Sequence, residues 1–201
     1  MRSGTRVSLL ILVVIVLAAA GAALNIIQHG LSARDQPTAL EAFLARGLRR
    51  LALPAGARDL QNPIPITEKV LQEGRAHFAD HCAFCHGNDG KGQTEIGRHL
   101  YPKAPDMASA TTQSLSDGEL FYIIKNGVRL TGMPAWGKDT AEDDRQSWHL
   151  VHFMRHLPRI TSVEIEEMKE LNPKTRQELE EEQEIRRFLA GEEVKQPKHH
   201  H

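Results

Sequence analysis

Cys82, Cys85 and His86, in the run Cys82-Ala83-Phe84-Cys85-His86, are the residues of this chain whose types and spacing point most directly to chemistry. A C-x-x-C pair serves as a redox dithiol, as half of a zinc site, or, when His follows, as an attachment point for haem. A structural zinc site needs two further ligands, and no second cysteine pair exists in the chain. A thioredoxin-like dithiol lies in a strand-bearing βαβ context, whereas the stretch ahead of Cys82 reads as a helix. Covalent haem remains. Two thiols spaced by two residues add to the two vinyl groups of haem c, and His86 then sits beneath the iron as its proximal ligand.

The helix that must carry this motif is Glu68 onward, in EKVLQEGRAHFADHCAFCHG. With its surroundings, from about Thr67 to Pro158, it resembles a class I monohaem c-type cytochrome of the membrane-anchored, bacterial kind. The resemblance implies an all-α domain around one covalent haem, in which a Gly and an aromatic of the first helix pack on the last; Gly74 and Phe78 occupy those places. It implies a glycine-rich turn, matched by Gly87, Gly90 and Gly92. That turn lacks the G-K-[ST] ending and the preceding strand of a phosphate loop. It implies a proline whose carbonyl accepts the proximal His N–H, a bond that would fix the ring and tune the iron. Pro105 fits best, with Pro102 as the fallback. The sixth ligand implied is a methionine on a loop. Met133, between Gly132 and Pro134 in the run Asn126–Trp136, matches that loop, 47 residues past His86. Met1, Met107, Met154 and Met168 fit less well, Met168 because it is expected beyond the domain. His86 and Met133 are thus the expected metal ligands, with Cys82, Cys85 and Pro105 completing the haem-binding set. His/Met ligation raises the reduction potential and leaves no open iron position, which suits electron transfer rather than substrate chemistry.

The remaining elements read as helices. Ser116 with Glu119 forms a capping-box pattern for a helix that ends at Gly127. Thr140 is positioned to cap a final helix whose first turn holds Glu142, Asp143 and Asp144, as the helix dipole favours. Trp148, Val151, Met154 and Leu157 recur at spacings of three, and Pro158 ends the run. His149, His152 and His156 on that helix read as solvated or interfacial side chains rather than metal ligands. No stretch carries a convincing strand pattern.

Ahead of this domain, Val7–Ile27 is free of charge and about as long as a bilayer-crossing helix requires. Arg2 and Arg6 precede it and no further Arg or Lys occurs until Arg34, which places the N-terminus in the cytoplasm and the rest outside. Ala18-Ala19-Ala20 raises the competing reading of a cleaved signal peptide. The apolar run continues beyond it through Leu24, Ile26 and Ile27, so an uncleaved anchor is the reading kept. Thr38 with Glu41 opens a basic amphipathic helix carrying Leu40, Phe43, Leu44, Leu48 and Leu51. It either rests on lipid headgroups or packs on the next domain. Residues 53–66 read as an extended linker. After Pro158 come a short helix opened by Thr161 and Glu164 and a strongly acidic one from Thr175 to Ala190, with Glu182 and Arg186 spaced for an ion pair. The acidic helix is a solvated face or a docking surface for a basic partner. His199-His200-His201 closes the chain, as a tag remnant or a metal-binding tail.

Composition sets the outer bounds. The formal net charge is −1, against the basic surplus of most nucleic-acid binders, and 40% hydrophobic with 25% charged residues is ordinary for a globular protein. The charge is distributed unevenly: +4 over 1–65, −1 over 66–160 and −4 over 161–201. The expected organisation is an anchor over 1–29, a juxtamembrane helix and linker over 30–66, a cytochrome c domain over 67–158 and an acidic helical extension over 159–201. The function expected is that of a carrier, not an enzyme. It would be tethered by a single pass to the inner membrane with its haem on the periplasmic side, passing electrons between a redox protein donor and acceptor, with no nucleic acid and no small-molecule substrate. The alternative is a haem c subunit of a membrane oxidase or dehydrogenase complex. A five-coordinate haem sensor or small peroxidase would need the open iron position that Met133 closes.

Overall fold

The computed structural model describes residues 2–30 and 32–191, so the terminal histidines lie outside the described residues. Eleven α-helices succeed one another and no strand occurs among the described residues. The first, α1 (Arg2–His29), includes Gly4–Gln28, a span long and apolar enough to cross a membrane and not buried against the protein. The second, α2 (Ala39–Ala52), opens with the expected reciprocal cap: the Glu41 amide donates to Thr38 Oγ1 at 3.2 Å and the Thr38 amide to Glu41 Oε2 at 2.8 Å.

The helical domain is organised by α4 (Glu68–His77) and α9 (Ala141–His156), which cross at a glycine. A Cβ on Gly74 would lie 2.3 Å from the His149 carbonyl oxygen and 3.2 Å from Phe153 Cβ. The missing side chain therefore sets how closely the two backbones approach. Phe78 and Phe153 meet in the same seam, ring centroids 5.1 Å apart. Phe78, Leu120, Leu150, Val151, Phe153 and Leu157 form the buried centre, each contributing about 1.5–3 kcal/mol on burial. The α8 helix (Asp117–Asn126), capped by Ser116 and Glu119, supplies Leu120 and Phe121, and Phe121 stacks on Trp148 at 4.1 Å.

Two segments differ from expectation. Residues 53–66 are not simply extended: α3 (Ala55–Asp59) lies within them, Leu53 and Ala57 are buried, and Arg58 meets Glu119 at 3.3 Å. The reason is again a glycine. Gly118 on α8 lets the Ala57 carbonyl approach until a Cβ there would stand 2.0 Å from it. Further along the same segment, Asn62 Nδ2 donates to the Trp148 carbonyl at 3.1 Å, and the Ile64 carbonyl faces His152 Nε2 at 2.7 Å. At the other end, packing does not stop at Pro158. A 3₁₀ turn (Leu157–Arg159) leads into α10 (Ser162–Lys169), which returns Met168 to the core, fully buried. Met168 is thus part of the domain, not beyond it. Its partners were hard to foresee because a single buried methionine leaves no periodic signature.

Polar contacts bind α10 in place. Glu164 meets His156 Nε2 at 2.7 Å and takes the Thr161 amide at 2.9 Å, and Arg75 Nη1 meets Glu167 at 3.0 Å. The final helix, α11 (Arg176–Leu189), buries no residue, and its Glu182 pairs with Lys174 instead of the expected Arg186.

Gly74→Ala should destabilise the domain. Alanine is about 1 kcal/mol better than glycine in a helix interior, but its methyl would overlap a backbone carbonyl that no rotamer change can move. A net loss of about 1–2 kcal/mol is expected from such overpacking, seen in thermal unfolding as a Tm lower by about 4–8 °C for each kcal/mol. Acid titration of stability provides a second check. Burial works against the charge of Glu164, but the bonds from Thr161 and His156 outweigh it and hold the carboxyl below its ordinary 4.5. A carboxyl depressed on folding contributes stability above its unfolded pKa and loses it as pH falls through the lower folded value. Glu164→Gln should therefore lower stability at pH 7 and flatten the decline below about pH 4.5, as followed by denaturant midpoints across pH.

Candidate functional site

The C-x-x-C-H motif stands at the end of a helix that changes its winding on the way. After α4, residues Phe78–Cys82 form a π-helical turn in which the Ala83 amide donates to the Phe78 carbonyl, and α5 (Ala83–His86) completes the motif. Cys82 and Cys85 are unpaired thiols, each half-buried. Burial, reinforced by Cys85, pushes the Cys82 thiol up to about 12, and burial raises Cys85 as well. Reactive redox cysteines have lowered pKa values, so this pair does not have the electrostatics of a dithiol catalyst. Attachment as uncharged thioethers suits the same surroundings.

His86 is 7% exposed. Burial pushes its pKa down, and the Pro105 carbonyl beside the ring opposes that shift. Among the described residues no atom meets Nδ1 at full hydrogen-bond geometry; the Pro105 carbonyl is the acceptor near the ring, while Pro102 is exposed on the preceding loop. A buried imidazole with one nitrogen turned to a backbone carbonyl has the other nitrogen available for a metal, the arrangement by which a second partner fixes ring and tautomer.

The backbone behind the motif is closed by residues that the sequence reading had cast only as a turn, or had passed over. Gly87, Gly90 and Gly92 all adopt positive φ, at 74°, 71° and 70°, a region glycine enters without steric cost. The Gly92 amide donates to the His86 carbonyl at 2.7 Å and the Met107 amide to the Gly90 carbonyl at 2.8 Å. Thr94 was missed. Its hydroxyl donates to the Cys85 carbonyl at 3.0 Å and accepts the Gly97 amide at 2.8 Å, so one side chain caps α6 (Glu95–His99) and fastens it to the motif. Gly97 permits that contact, since a Cβ there would lie 2.2 Å from the Cys85 carbonyl oxygen. A Thr followed three residues later by Gly was the available signal.

Met133 lies half-buried on a loop that folds back over the end of α8. Gly127, at φ 66°, ends the helix; the Val128 amide donates to the Met133 carbonyl at 3.1 Å, and the Trp136 amide to the Ile124 carbonyl at 3.2 Å. Gly132 rests on Leu100, the residue after α6, and Trp136 meets the His81 ring edge-on at 5.2 Å, one residue before Cys82. The methionine loop therefore touches both flanks of the motif. Met107 is buried in the core instead.

The histidines of α9 are engaged elsewhere. Burial and nearby Arg145 lower the pKa of His149, whose Nδ1 meets Glu73 at 3.0 Å; His152 and His156 have the partners named above. His77 and His81, a four-residue spacing just ahead of the cysteines that the sequence reading passed over, meet edge to face at 4.8 Å. No group of three or more metal-ligating side chains occurs among the described residues. A cleft of about 410 Å³ opens beside Glu73, His77, His81, Trp136, Asp143 and His149, but it is not lined by Cys82, Cys85, His86 or Met133. It is not the place for a group attached through the motif.

Residues 69–154 match the family model described as cytochrome C oxidase, cbb3-type, subunit III. The chain is 36% identical over 83 residues to the cbb3-type cytochrome c oxidase subunit FixP of Rhizobium meliloti (strain 1021), covering 39% of this chain and 26% of that protein. It is 38% identical over 77 residues to FixP of Sinorhizobium medicae (strain WSM419), covering 36% and 23%. The chain spans about a quarter of the length of these relatives. A solved Kuenenia stuttgartiensis reducing HAO-like protein complex aligns with 49% of each chain at 21% identity and a TM-score of 0.40, too slight a likeness to bear on the site. The helical unit over 69–154 is a c-type cytochrome domain, and haem c is the cofactor that family implies.

Proposed function

We propose that this protein is a membrane-tethered carrier of single electrons, holding one haem c through Cys82 and Cys85, with His86 and Met133 as iron ligands. The observation that carries the proposal is the C-x-x-C-H turn at a buried helix end, His86 facing the Pro105 carbonyl, inside a c-type cytochrome domain. Bound there, haem c supplies a one-electron ferric/ferrous couple.

The chain's own residues do the rest. Cys82 and Cys85 fix the group covalently on one helical turn. His86 is held in one orientation by its burial, and Pro105 favours the tautomer with the proton on Nδ1. Gly92 and Thr94 hold the backbone carbonyls of the motif, so little reorganises when the charge changes. The loop from Gly127 to Trp136 presents Met133 from an anchored frame, and a thioether favours the reduced state. With His86 and Met133 both holding the iron, no position would be left for a substrate. Partners are therefore a redox protein donor and acceptor. The α1 helix serves as a single-pass anchor, with the haem domain on the periplasmic side.

A second reading is supported by the family match: the same domain acting as the haem c subunit of a membrane oxidase complex. Extraction in mild detergent followed by identification of co-purifying proteins separates the two, since a free carrier leaves the membrane alone and a subunit brings the other subunits with it.

Acid–acetone extraction of the purified holoprotein should leave haem on the polypeptide; haem released to the solvent rejects covalent attachment. Met133→Ala should retain covalent haem, lose the methionine-to-ferric-iron charge-transfer band, lower the reduction potential and open the iron to carbon monoxide. An unchanged band and potential would assign the sixth ligand elsewhere, with Met107 the next residue to substitute.

A further inference from the structure

We infer that α2 lies flat in the headgroup region of the same bilayer that α1 crosses, its leucine face inserted among anionic phospholipids, and so fixes how the haem domain sits over the membrane. The inference rests on the reading of α1 as a membrane span.

The helix has the required face and turns it away from the protein. At 100° per residue, Leu40, Phe43, Leu44, Gly47, Leu48 and Leu51 fall within an arc of about 140°. Leu40, Phe43, Leu48 and Leu51 are each at least 66% exposed, and Leu44 is 51% exposed. Ala42 and Arg49, roughly opposite that arc, are half-buried. The helix thus turns Ala42 and Arg49 inward and leaves its leucines in the open, against the alternative that the leucines pack on the next domain. A contiguous exposed apolar surface of this kind marks an interaction site.

Three observations select lipid as the occupant. First, α1 ends at His29 and α2 starts at Ala39; the nine residues between them reach at most about 30–33 Å when fully extended, so the helix begins close to the surface α1 leaves. Second, Arg46 is exposed on the flank of the apolar arc, and the register places Arg50 beside it. Arginine on the flank of an apolar face is the pattern of helices that lie in the interface, drawn there by anionic headgroups. Third, the one acid of the helix, Glu41, is already engaged, accepting the Thr38 amide and, at 3.0 Å, the Tyr101 hydroxyl. Those bonds leave its negative charge in place, but Arg46, Arg49 and Arg50 outnumber it, so Ala39–Ala52 carries a net charge of +2 that an anionic surface attracts. The Tyr101 bond also couples α2 to the loop between α6 and Pro105, so an embedded helix would hold that side of the haem domain toward the membrane.

The test uses the full haem-loaded chain in vesicles of phosphatidylcholine with phosphatidylglycerol, carrying single cysteines labelled with an environment-sensitive fluorophore. Cys82 and Cys85 are thioethers in the holoprotein, and the parent chain treated identically is the blank. Val14→Cys reports α1, Leu44→Cys and Leu48→Cys report the apolar face, and Ala45→Cys, about 60° beyond the edge of that face, reports its flank. With phospholipids brominated near the headgroup for the α2 labels and deep in the acyl chains for the Val14 label, the Leu44 and Leu48 labels should be blue-shifted and lose fluorescence, while the Ala45 label keeps more of its own. Both effects should weaken when phosphatidylglycerol is omitted. A quenched Val14 label with unquenched Leu44 and Leu48 labels overturns the placement of α2 and leaves the anchor standing. An unquenched Val14 label overturns the anchor and this inference with it. Leu44 and Leu48 labels shielded from water but not quenched by lipid would mean a protein covers the face, and would equally overturn it.

Discussion

The helical domain is hung on the close crossing of α4 and α9. One backbone carbonyl, that of His149, occupies the volume where Gly74 would carry a side chain. Because the helices touch there, Phe78 reaches Phe153 and the C-terminal end of α4 is held still. The motif bearing Cys82, Cys85 and His86 continues directly from that end. A covalently attached group whose position depends on a helix terminus needs that terminus to be rigid, and a packed interior, which resists even single-methylene changes, supplies the rigidity. The aromatic stack of Phe121 on Trp148 extends the same clamp to α8, from which the methionine loop departs.

Around this clamp the polar groups are arranged to immobilise backbone rather than to react. Thr94, Gly92 and Asn62 all act on carbonyls. Arg155 does the same on a larger scale, donating to the carbonyls of Gln113 at 2.8 Å and Leu115 at 2.5 Å while pairing with Asp117 at 2.8 Å. The histidines of α9 are spent on neighbouring segments. This distribution suits the proposed electron transfer, since any rearrangement that accompanies a change of charge would slow it.

Much of this could be read beforehand, and the reasons differ by residue. The helices opened by Thr38, Ser116, Thr161 and Thr175 are announced by capping pairs three residues apart, a local rule that tertiary context seldom overrides. The motif is equally local. What escaped were contacts whose partners lie far away in the chain. Met168 joins the core from a helix with no strong apolar stripe, and Ala57 docks only because Gly118, some sixty residues later, leaves it room. The 53–66 segment reads as a linker by Pro54, Gly56, Pro63 and Pro65, yet Arg58, Asn62 and Ile64 hold it against α8 and α9. Arg155 belongs to no sequence pattern; its role follows from three carbonyl and carboxylate groups that no spacing rule brings together.

The π-helical turn at Phe78–Cys82 separates two demands that a uniform helix would tie together. In an α-helix, the face that meets α9 dictates the azimuth of every later residue. Here the wider winding makes each residue advance the spiral by a smaller angle, so α5 starts out of phase with α4. The packing face and the cofactor face can each be aimed without disturbing the other. The turn works as a gear offset between scaffold and cargo, and its five-residue length is part of the specification. Shortening it by one residue would leave Gly74 and every cysteine in the protein, yet return the two faces to lockstep and point the attachment chemistry in the wrong direction.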